Sequence, residues 1–233
     1  MPARIASATK MSSRVPVVSF EHRGVAVSEL ERDRRVRHLG IPSAPLIRRL
    51  YAETVSFRSV SGNSNHAMSR IQSFPPIVSE RSKLLILGSM PGALSLKASE
   101  YYAHPRNAFW HIMGELFGAG PSLPYQERVT ILQSAGIALW DTLQRCVRPG
   151  SLDASITEEV ANDFPGLFAT YPNITHVFFN GGKPEKAFRR HVLPTLHGHR
   201  PVFTRLPSTS PAHAAMRLDA KVQALSVVKQ VVS

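Results

Sequence analysis

The chain of 233 residues contains one cysteine and comparatively few acidic residues. A single cysteine, Cys146, excludes an internal disulfide framework, and no set of Cys and His residues has the spacing of a zinc site. No apolar run approaches the ~20 residues that a membrane-spanning helix needs. The 16 acidic residues are outnumbered by 28 Lys and Arg, which gives a formal net charge of +12. This excess favours a polyanionic partner, although net charge bears on association rather than on fold.

The first 70 residues differ in composition from the rest. They contain 12 basic and 5 acidic residues, many small or hydroxyl side chains, and apolar periodicity only around residues 46–55. Little apolar surface is available to offset an ordering entropy of about 1–2 kcal/mol per residue. Residues 1–70 are therefore predicted to be a basic, disordered extension with at most a short helix near residues 44–54. Its start also fits an organelle-targeting composition, but a dispensable tail is the simpler interpretation.

From residue 71 onward, apolar strands alternate with helices. Strands are predicted at residues 83–88, 136–141, 176–181 and 202–206. Helices are predicted at residues 107–117, 125–134, 156–171, 184–191 and 214–232. Near-continuous apolar strands separated by helices predict one α/β domain, residues 71–233, with a four-stranded parallel sheet covered on both faces. Ligands bind such sheets at the carboxyl ends of the strands. The turns that follow these ends lie at residues 88–92, 141–143, 180–183 and 207–211.

The first of these turns reads Gly88-Ser89-Met90-Pro91-Gly92. Two glycines with a proline between them hold the backbone in a tight path whose N–H groups can face a ligand. The turn is not a Walker loop, because no Gly-Lys-Ser/Thr sequence follows. An ordinary strand-to-helix turn has the same composition, so this motif alone leaves both interpretations open.

An aromatic and basic segment, residues 101–110, follows that turn and reads YYAHPRNAFW. Aromatic faces near basic groups suit a nucleobase that has been lifted out of a nucleic-acid stack. Phe109 and Trp110 fit a hydrophobic core equally well. Asn107 has the position of an N-cap for the helix that follows.

The last turn contains three hydroxyl residues between two prolines, in the sequence LPSTSPAHA at residues 206–214. Hydroxyl groups and exposed N–H groups at a helix start suit a phosphate, and the prolines keep the loop rigid. A purely structural Ser/Thr turn is the alternative interpretation of the same residues.

In this order, the motifs resemble the uracil-DNA glycosylase superfamily, most closely its hypoxanthine-DNA (deoxyinosine) glycosylase branch. The segments that carry the resemblance are LILGSMPG (85–92), YYAHPRNAFW (101–110), ALWD (138–141), FFNGGK (178–183) and LPSTSPA (206–212). The resemblance extends from about residue 73 to the C terminus. It implies a three-layer α/β/α sandwich with a central four-stranded parallel sheet, in agreement with the strand pattern.

The resemblance implies an enzyme that flips a deaminated base out of DNA and hydrolyses its bond to deoxyribose. Most branches carry Asp or Asn where this chain has Met90, and the hypoxanthine branch instead uses the position of Asn107. The carbonyl of Asn107 would position the attacking water. An amide suffices if the transition state is oxocarbenium-like, with N–H groups of residues 88–92 stabilising the departing base. Leu206 replaces the histidine that assists in many relatives, which indicates a mechanism without it.

The resemblance also assigns residues to binding. The base-binding set comprises Gly88, Ser89, Met90, Pro91, Gly92, Tyr102, Asp141 and Asn180. Tyr102 would stack on the flipped base, a contact worth ~1–3 kcal/mol, whereas Asp141 would either accept from the base or hold a loop. Phosphate contacts and the wedge that fills the vacated position are assigned to Ser208, Ser210, Lys183, His213 and Met216.

No cofactor or metal is expected, because one cysteine cannot ligate the iron–sulfur cluster of some relatives. No motif lysine is placed as a Schiff-base nucleophile, which predicts a glycosylase without lyase activity. The expected partner is DNA with deaminated bases, bound by a monomer away from membranes. If the host is bacterial, the expected location is the cytoplasm, at the nucleoid. Two alternatives stay open: a mismatch-specific uracil/thymine glycosylase, and a non-catalytic module that binds damaged DNA. A serine hydrolase with a Gly-x-Ser-x-Gly elbow is excluded.

Overall fold

The computed structural model describes residues 70–150, 152–198 and 200–232. The extension predicted at residues 1–70 lies outside the described residues except for Arg70, so its disorder and its short helix stay predictions. In the part of the chain that the structure describes, no helix combines the length and hydrophobicity needed to cross a lipid bilayer.

Strands and helices alternate through the described residues. The strands are β1 (Arg70–Gln72), β2 (Leu84–Gly88), β3 (Ile137–Asp141), β4 (Leu143–Val147), β5 (Thr157–Ala161), β6 (His176–Asn180) and β7 (Val202–Leu206). The helices are α1 (Ala93–Ala98), α2 (Phe109–Phe117), α3 (Tyr125–Ser134), α4 (Phe164–Thr170), α5 (Gly182–His191), α6 (Leu218–Leu225) and α7 (Val227–Val232). Short 3₁₀ turns occupy Asp153–Ser155 and Leu193–Thr195.

The main sheet has the strand order β3-β2-β6-β7, and all its strands are parallel. Its register aligns the carboxyl ends, because Gly88 lies opposite Asp141 and Asn180 lies opposite Leu206. The predicted four-stranded parallel sheet is therefore confirmed, with strand bounds within one residue of those expected.

Alternate residues of β2 face two different hydrophobic layers. Leu84 and Ile86 pack in a cluster that includes residues of α2, α3, α6 and α7, whereas Leu85 and Leu87 pack in a cluster with residues of α4 and α5. A strand whose both faces are apolar is expected only where helices cover both sides of the sheet. The three-layer α/β/α sandwich is thus confirmed.

A second, three-stranded antiparallel sheet with the order β1-β4-β5 was not foreseen. The helix predicted at residues 156–171 is wrong in its first part, because Thr157–Ala161 forms β5 and pairs with β4. This segment has no fully buried apolar stripe, and strand pairing satisfies its backbone groups. Helix α4 starts only after Asp163, whose carboxylate accepts from the Gly166 N–H at 2.9 Å, with Pro165 in the first turn.

The closing helix predicted over residues 214–232 begins at Leu218 and is divided into α6 and α7 at Ser226. Helix α2 ends where predicted, at Gly118, which has φ 77°. Glycine is favoured there because a side chain in the left-handed region is strained.

Candidate functional site

The carboxyl ends of the parallel strands open onto a cleft of about 520 Å³. Every turn singled out from the sequence contributes to its lining. The contributing residues are 88–92 after β2, Asp141 at the end of β3, 180–183 after β6 and 208–213 after β7, joined by residues 101, 102, 104, 106 and 107. The predicted convergence of these turns at one edge of the sheet is therefore observed.

Asp141 lies in this cleft with only 3% of its surface exposed. Its Oδ2 is buried without a hydrogen-bond partner among the described residues. A Cβ placed on Gly88 would lie 2.5 Å from Oδ1, so the carboxyl fits against β2 only because residue 88 is glycine. Burial and then repulsion from Asp153 raise the pKa of Asp141 to about 8, against opposing effects of Arg148 and Ser73. The group is consequently mostly neutral at pH 7 and can donate a hydrogen bond.

Tyr102 supplies a rigid aromatic surface to the same cleft. Its ring stacks on Phe109 with centroids 3.9 Å apart and an interplanar angle of 20°. Its backbone has φ 56°, an uncommon conformation for an aromatic residue. The hydroxyl oxygen is buried and has no geometrically acceptable partner in the described part of the chain. Burial raises the pKa of this phenol well above 10, against an opposing effect of the nearby Asn180 amide.

Asn107 both supports a helix and lines the cleft. Its Oδ1 accepts from the Phe109 N–H at 3.0 Å, which satisfies one of the unpaired donors at the start of α2. The N-cap prediction for Asn107 is wrong by one position, because the N-cap is Ala108, but the Asn107 side chain still accepts from the first residue of the helix. The Ala108 N–H donates to the Thr209 carbonyl at 3.0 Å and ties this helix start to the last loop. A carbonyl oxygen has two lone pairs, so Oδ1 retains one for a water molecule.

Asn180 holds the last loop against β6 through Thr209, a buried residue of the hydroxyl turn to which the sequence assigned no contact of its own. Its Nδ2 donates to Thr209 Oγ1 at 2.8 Å, and its Oδ1 accepts from the Thr209 N–H at 2.9 Å. One amide hydrogen and one lone pair remain for a base. The predicted base contact of Asn180 stays a prediction, with half of the amide already engaged.

The hydroxyl groups of the last loop make local turns. Ser208 Oγ accepts from the Ser210 N–H at 3.2 Å, and Ser210 Oγ accepts from the Ala212 N–H at 3.3 Å. The structural alternative is thus observed, while both serines line the cleft and keep a hydroxyl hydrogen to donate. Lys221 Nζ donates to the His213 carbonyl at 2.9 Å, and burial lowers the pKa of this lysine. His213 lines the cleft, whereas Met216 lies outside its lining.

Lys183 is less available than the sequence indicated. Its ammonium pairs with Glu159, which also bonds His191 at 2.8 Å. Although burial raises the pKa of Glu159, the hydrogen bonds from Lys183 and His191 lower it on balance. A phosphate contact by Lys183 stays a prediction and requires this carboxylate to share the ammonium.

The turn after β2 is braced by two residues that the sequence did not point to, Asp153 and Arg148. Met90 lines the cleft and contributes its buried side chain to a small cluster with Ile71, Leu143 and Cys146, so its predicted base contact stays a prediction. Ser89 Oγ contacts both carboxylate oxygens of Asp153 at 2.8 Å and donates to this group.

Arg148 is 1% exposed and donates to the carbonyls of Pro91 and Gly150. The sequence feature that could have indicated this role is the position of Arg148, directly after β4 and directly before a Pro-Gly pair.

Replacing Arg148 with methionine is expected to lower the free energy of unfolding by about 2–3 kcal/mol. Methionine keeps much of the packing volume, but it leaves two carbonyls without their charged donor. Urea unfolding of both proteins measures the change. Arg145→Met is the matched control, since Arg145 is exposed on β4, three residues before Arg148, and its loss is expected to cost less than ~0.5 kcal/mol. Equal unfolding midpoints for the two variants would contradict a bracing role.

The fold and the cleft define an α/β sandwich protein with a ligand site at the carboxyl ends of its strands. Residues 75–229 match the family model of the Uracil DNA glycosylase superfamily. The match spans more than half of the chain, and the chain belongs to this superfamily.

The relatives and a solved structure agree with this assignment. The chain is 41% identical over 113 residues to the Hypoxanthine DNA glycosylase of Methanosarcina barkeri (strain Fusaro / DSM 804), across 48% of this chain and 72% of that protein. It is 34% identical over 141 residues to the Hypoxanthine DNA glycosylase of Methanosarcina acetivorans, across 60% and 86%. A solution NMR structure of a candidate uracil DNA glycosylase from M. acetivorans has a TM-score of 0.60 and 30% identity, across 70% and 99%.

Proposed function

We propose that this protein is a monofunctional DNA glycosylase that excises hypoxanthine from deoxyinosine, with uracil as a further substrate, and leaves an abasic site. The observation that carries the proposal is the convergence of Asn107, Tyr102 and Asp141 in one cleft at the strand ends. The names of the two Methanosarcina relatives support the choice of base. Base excision repair is the process that such an activity serves.

A flipped hypoxanthine fits the chemistry of this cleft. One face of the Tyr102 ring is covered by Phe109, and we expect the base to stack on the other. The base presents an N–H donor beside a carbonyl acceptor, and a neutral Asp141 carboxyl supplies both an acceptor and a donor for this edge. Uracil has the same donor–acceptor pair, which accounts for it as a further substrate.

Hydrolysis proceeds by loss of the base before water attacks. The bond from C1′ of deoxyribose to the base nitrogen breaks, and its electron pair leaves with the base. Asn107 Oδ1 orients a water whose oxygen bonds to C1′, and the proton that this water loses ends on the base. Backbone dipoles of residues 88–92 stabilise the departing anion. Lys183 is held by Glu159, which supports hydrolysis without a Schiff base or strand cleavage.

The charge distribution supports DNA as the polyanion. Beside the cleft, a second depression is lined by Lys183, Lys186, Arg189 and Arg205 together with two acidic residues. Ser208 and Ser210 line the cleft, and their hydroxyl groups suit phosphate contacts. All the groups named for the reaction come from one chain, so we propose that the protein acts as a monomer. Its location would be the compartment that contains the DNA of its host.

A panel of oligonucleotides tests the function. Each carries inosine, uracil, xanthine or a mismatched thymine, and base release is followed by alkaline cleavage of the abasic product. We expect inosine to be processed fastest, with no strand cleavage when alkali is omitted. Fastest release from G·U or G·T mismatches would instead indicate a mismatch-specific glycosylase. Tight binding of lesion duplexes without any released base would indicate the non-catalytic module.

A further inference from the structure

An exposed leucine lies at the edge of the cleft on a loop that has no assigned role. Leu152 lines the cleft and is 63% exposed, more than the other large apolar side chains that the structure identifies as exposed. The loop follows β4, and Gly150 in this loop has φ 73°. Contact with a bound molecule in the cleft would remove this apolar side chain from water.

Two described residues near Leu152, Gly150 and Asp153, are held by hydrogen bonds, although the Leu152 side chain is in solvent. On one side, Gly150 is held by the buried guanidinium of Arg148, which also bonds Pro91. On the other side, Asp153 is held by Ser89. The Leu152 carbonyl itself accepts from the Ser155 N–H at 3.0 Å.

These bonds tie Gly150 and Asp153 to the turn at residues 88–92, which keeps Leu152 beside the proposed base pocket. A loop that only connects two strands does not need a buried arginine and an Asp–Ser hydrogen bond to hold the residues around an exposed leucine.

We propose that Leu152 inserts into the duplex beside the flipped nucleotide as an apolar wedge, in contact with the bases that the flipped base leaves unstacked. This inference rests on the proposed function and adds a second loop to the DNA contact, distinct from the loop of His213. Unstacked bases present apolar faces, and a leucine that is exposed in the free protein gains burial between them. Single-stranded DNA has no duplex base stack to keep open, so the leucine is not needed for that substrate.

Leu152→Ala in the full-length chain tests the wedge. Single-turnover release of hypoxanthine is measured from the same inosine sequence as a duplex and as a single strand. We expect the duplex rate to fall by roughly tenfold and the single-strand rate to change by less than about twofold. Leu152→Phe restores most of the duplex rate, because it restores an apolar side chain.

Two further variants serve as comparisons. Val202→Ala removes a comparably exposed residue, 57% exposed, at the amino end of β7, the opposite end of the sheet, and is expected to change neither rate. Leu94→Ala probes the other exposed leucine in the cleft lining, 44% exposed. An equal loss on both substrates, no loss on either, or a duplex-selective loss confined to Leu94→Ala overturns the assignment of Leu152.

A binding readout separates this inference from the proposed function. In a duplex with 2-aminopurine next to the inosine, fluorescence is expected to rise when the wild-type protein unstacks the site. The rise should be severalfold smaller with Leu152→Ala, and an equal rise overturns the wedge. If the wild-type protein releases no base from any substrate, the proposed function fails, while this fluorescence comparison still decides the role of Leu152.

Discussion

Replacing Asn107 with alanine is expected to slow single-turnover release of hypoxanthine by about 10²–10³-fold. The alanine variant loses the Oδ1 atom that is proposed to hold water in line with C1′, and positioning of this kind accounts for effects of that size. The rate is measured with enzyme in excess over an inosine-containing duplex. Affinity for the same duplex, measured by fluorescence anisotropy, is expected to change by less than about threefold, because Asn107 acts on the water rather than on the phosphates.

The second role of Asn107, as a cap of α2, requires a matched control. Loss of the bond to the Phe109 N–H is expected to cost about 1 kcal/mol of stability in the alanine variant. Asn107→Ser keeps a capping oxygen but is too short to hold the water, and Asn107→Asp keeps both functions. We expect serine to be as inactive as alanine with near-wild-type stability, and aspartate to retain most of the rate. A fully active serine variant would reduce Asn107 to a helix cap.

The free energy of unfolding is expected to fall as the pH rises towards 8, owing to Asp141. Between the ordinary carboxyl pKa of 3.8 and the folded value of about 8, the unfolded chain has lost a proton that the folded chain still holds. Raising the pH therefore favours unfolding, by up to ~1.4 kcal/mol per pH unit for this group. Its stabilising contribution is fully present below pH 3.8 and is lost as the pH rises through about 8.

Asp141→Asn isolates this effect, because the amide has nearly the same shape and does not ionise. In urea unfolding at pH 5, 6.5 and 8, the free energy of unfolding of the variant is expected to rise relative to that of the wild type as the pH rises, by several kcal/mol in total. Asp219→Asn, at an exposed position on α6, is expected to follow the wild type. A difference between wild type and Asp141→Asn that stays constant with pH would mean that the buried carboxyl is ionised, and the proposed hydrogen bond to the base would lose its donor.

Much of the fold could be predicted from the sequence because its signals are local. A buried parallel strand is a short apolar run between turns, and all four such strands were predicted with bounds within one residue. The strand at Thr157–Ala161 was missed for the opposite reason. It is exposed or half-buried, and only its partner β4, whose paired residues lie ten or more positions earlier in the chain, determines its conformation.

In the candidate site too, the features that depend on local sequence were predictable, and the contacts between distant residues were not. The turns that line the cleft were identified from the sequence, since the carboxyl ends of parallel strands share one edge of a sheet. The engagement of Asn180 by Thr209, and of Lys183 by Glu159, was not predictable. These partners lie 29 and 24 residues apart in the chain, and no local pattern connects them.

By itself, the sequence determined the alternation of strands and helices, the edge at which ligand-binding turns meet, and the residue types brought there. These features depend on periodicity and turn chemistry within a few neighbouring residues. Only the tertiary structure decided that burial raises the pKa of Asp141, that Arg148 is buried, and that Leu152 is exposed at the edge of the cleft. The solvent exposure, the pKa and the hydrogen bonds of these residues depend on atoms from several distant segments, which come together only when the chain is folded.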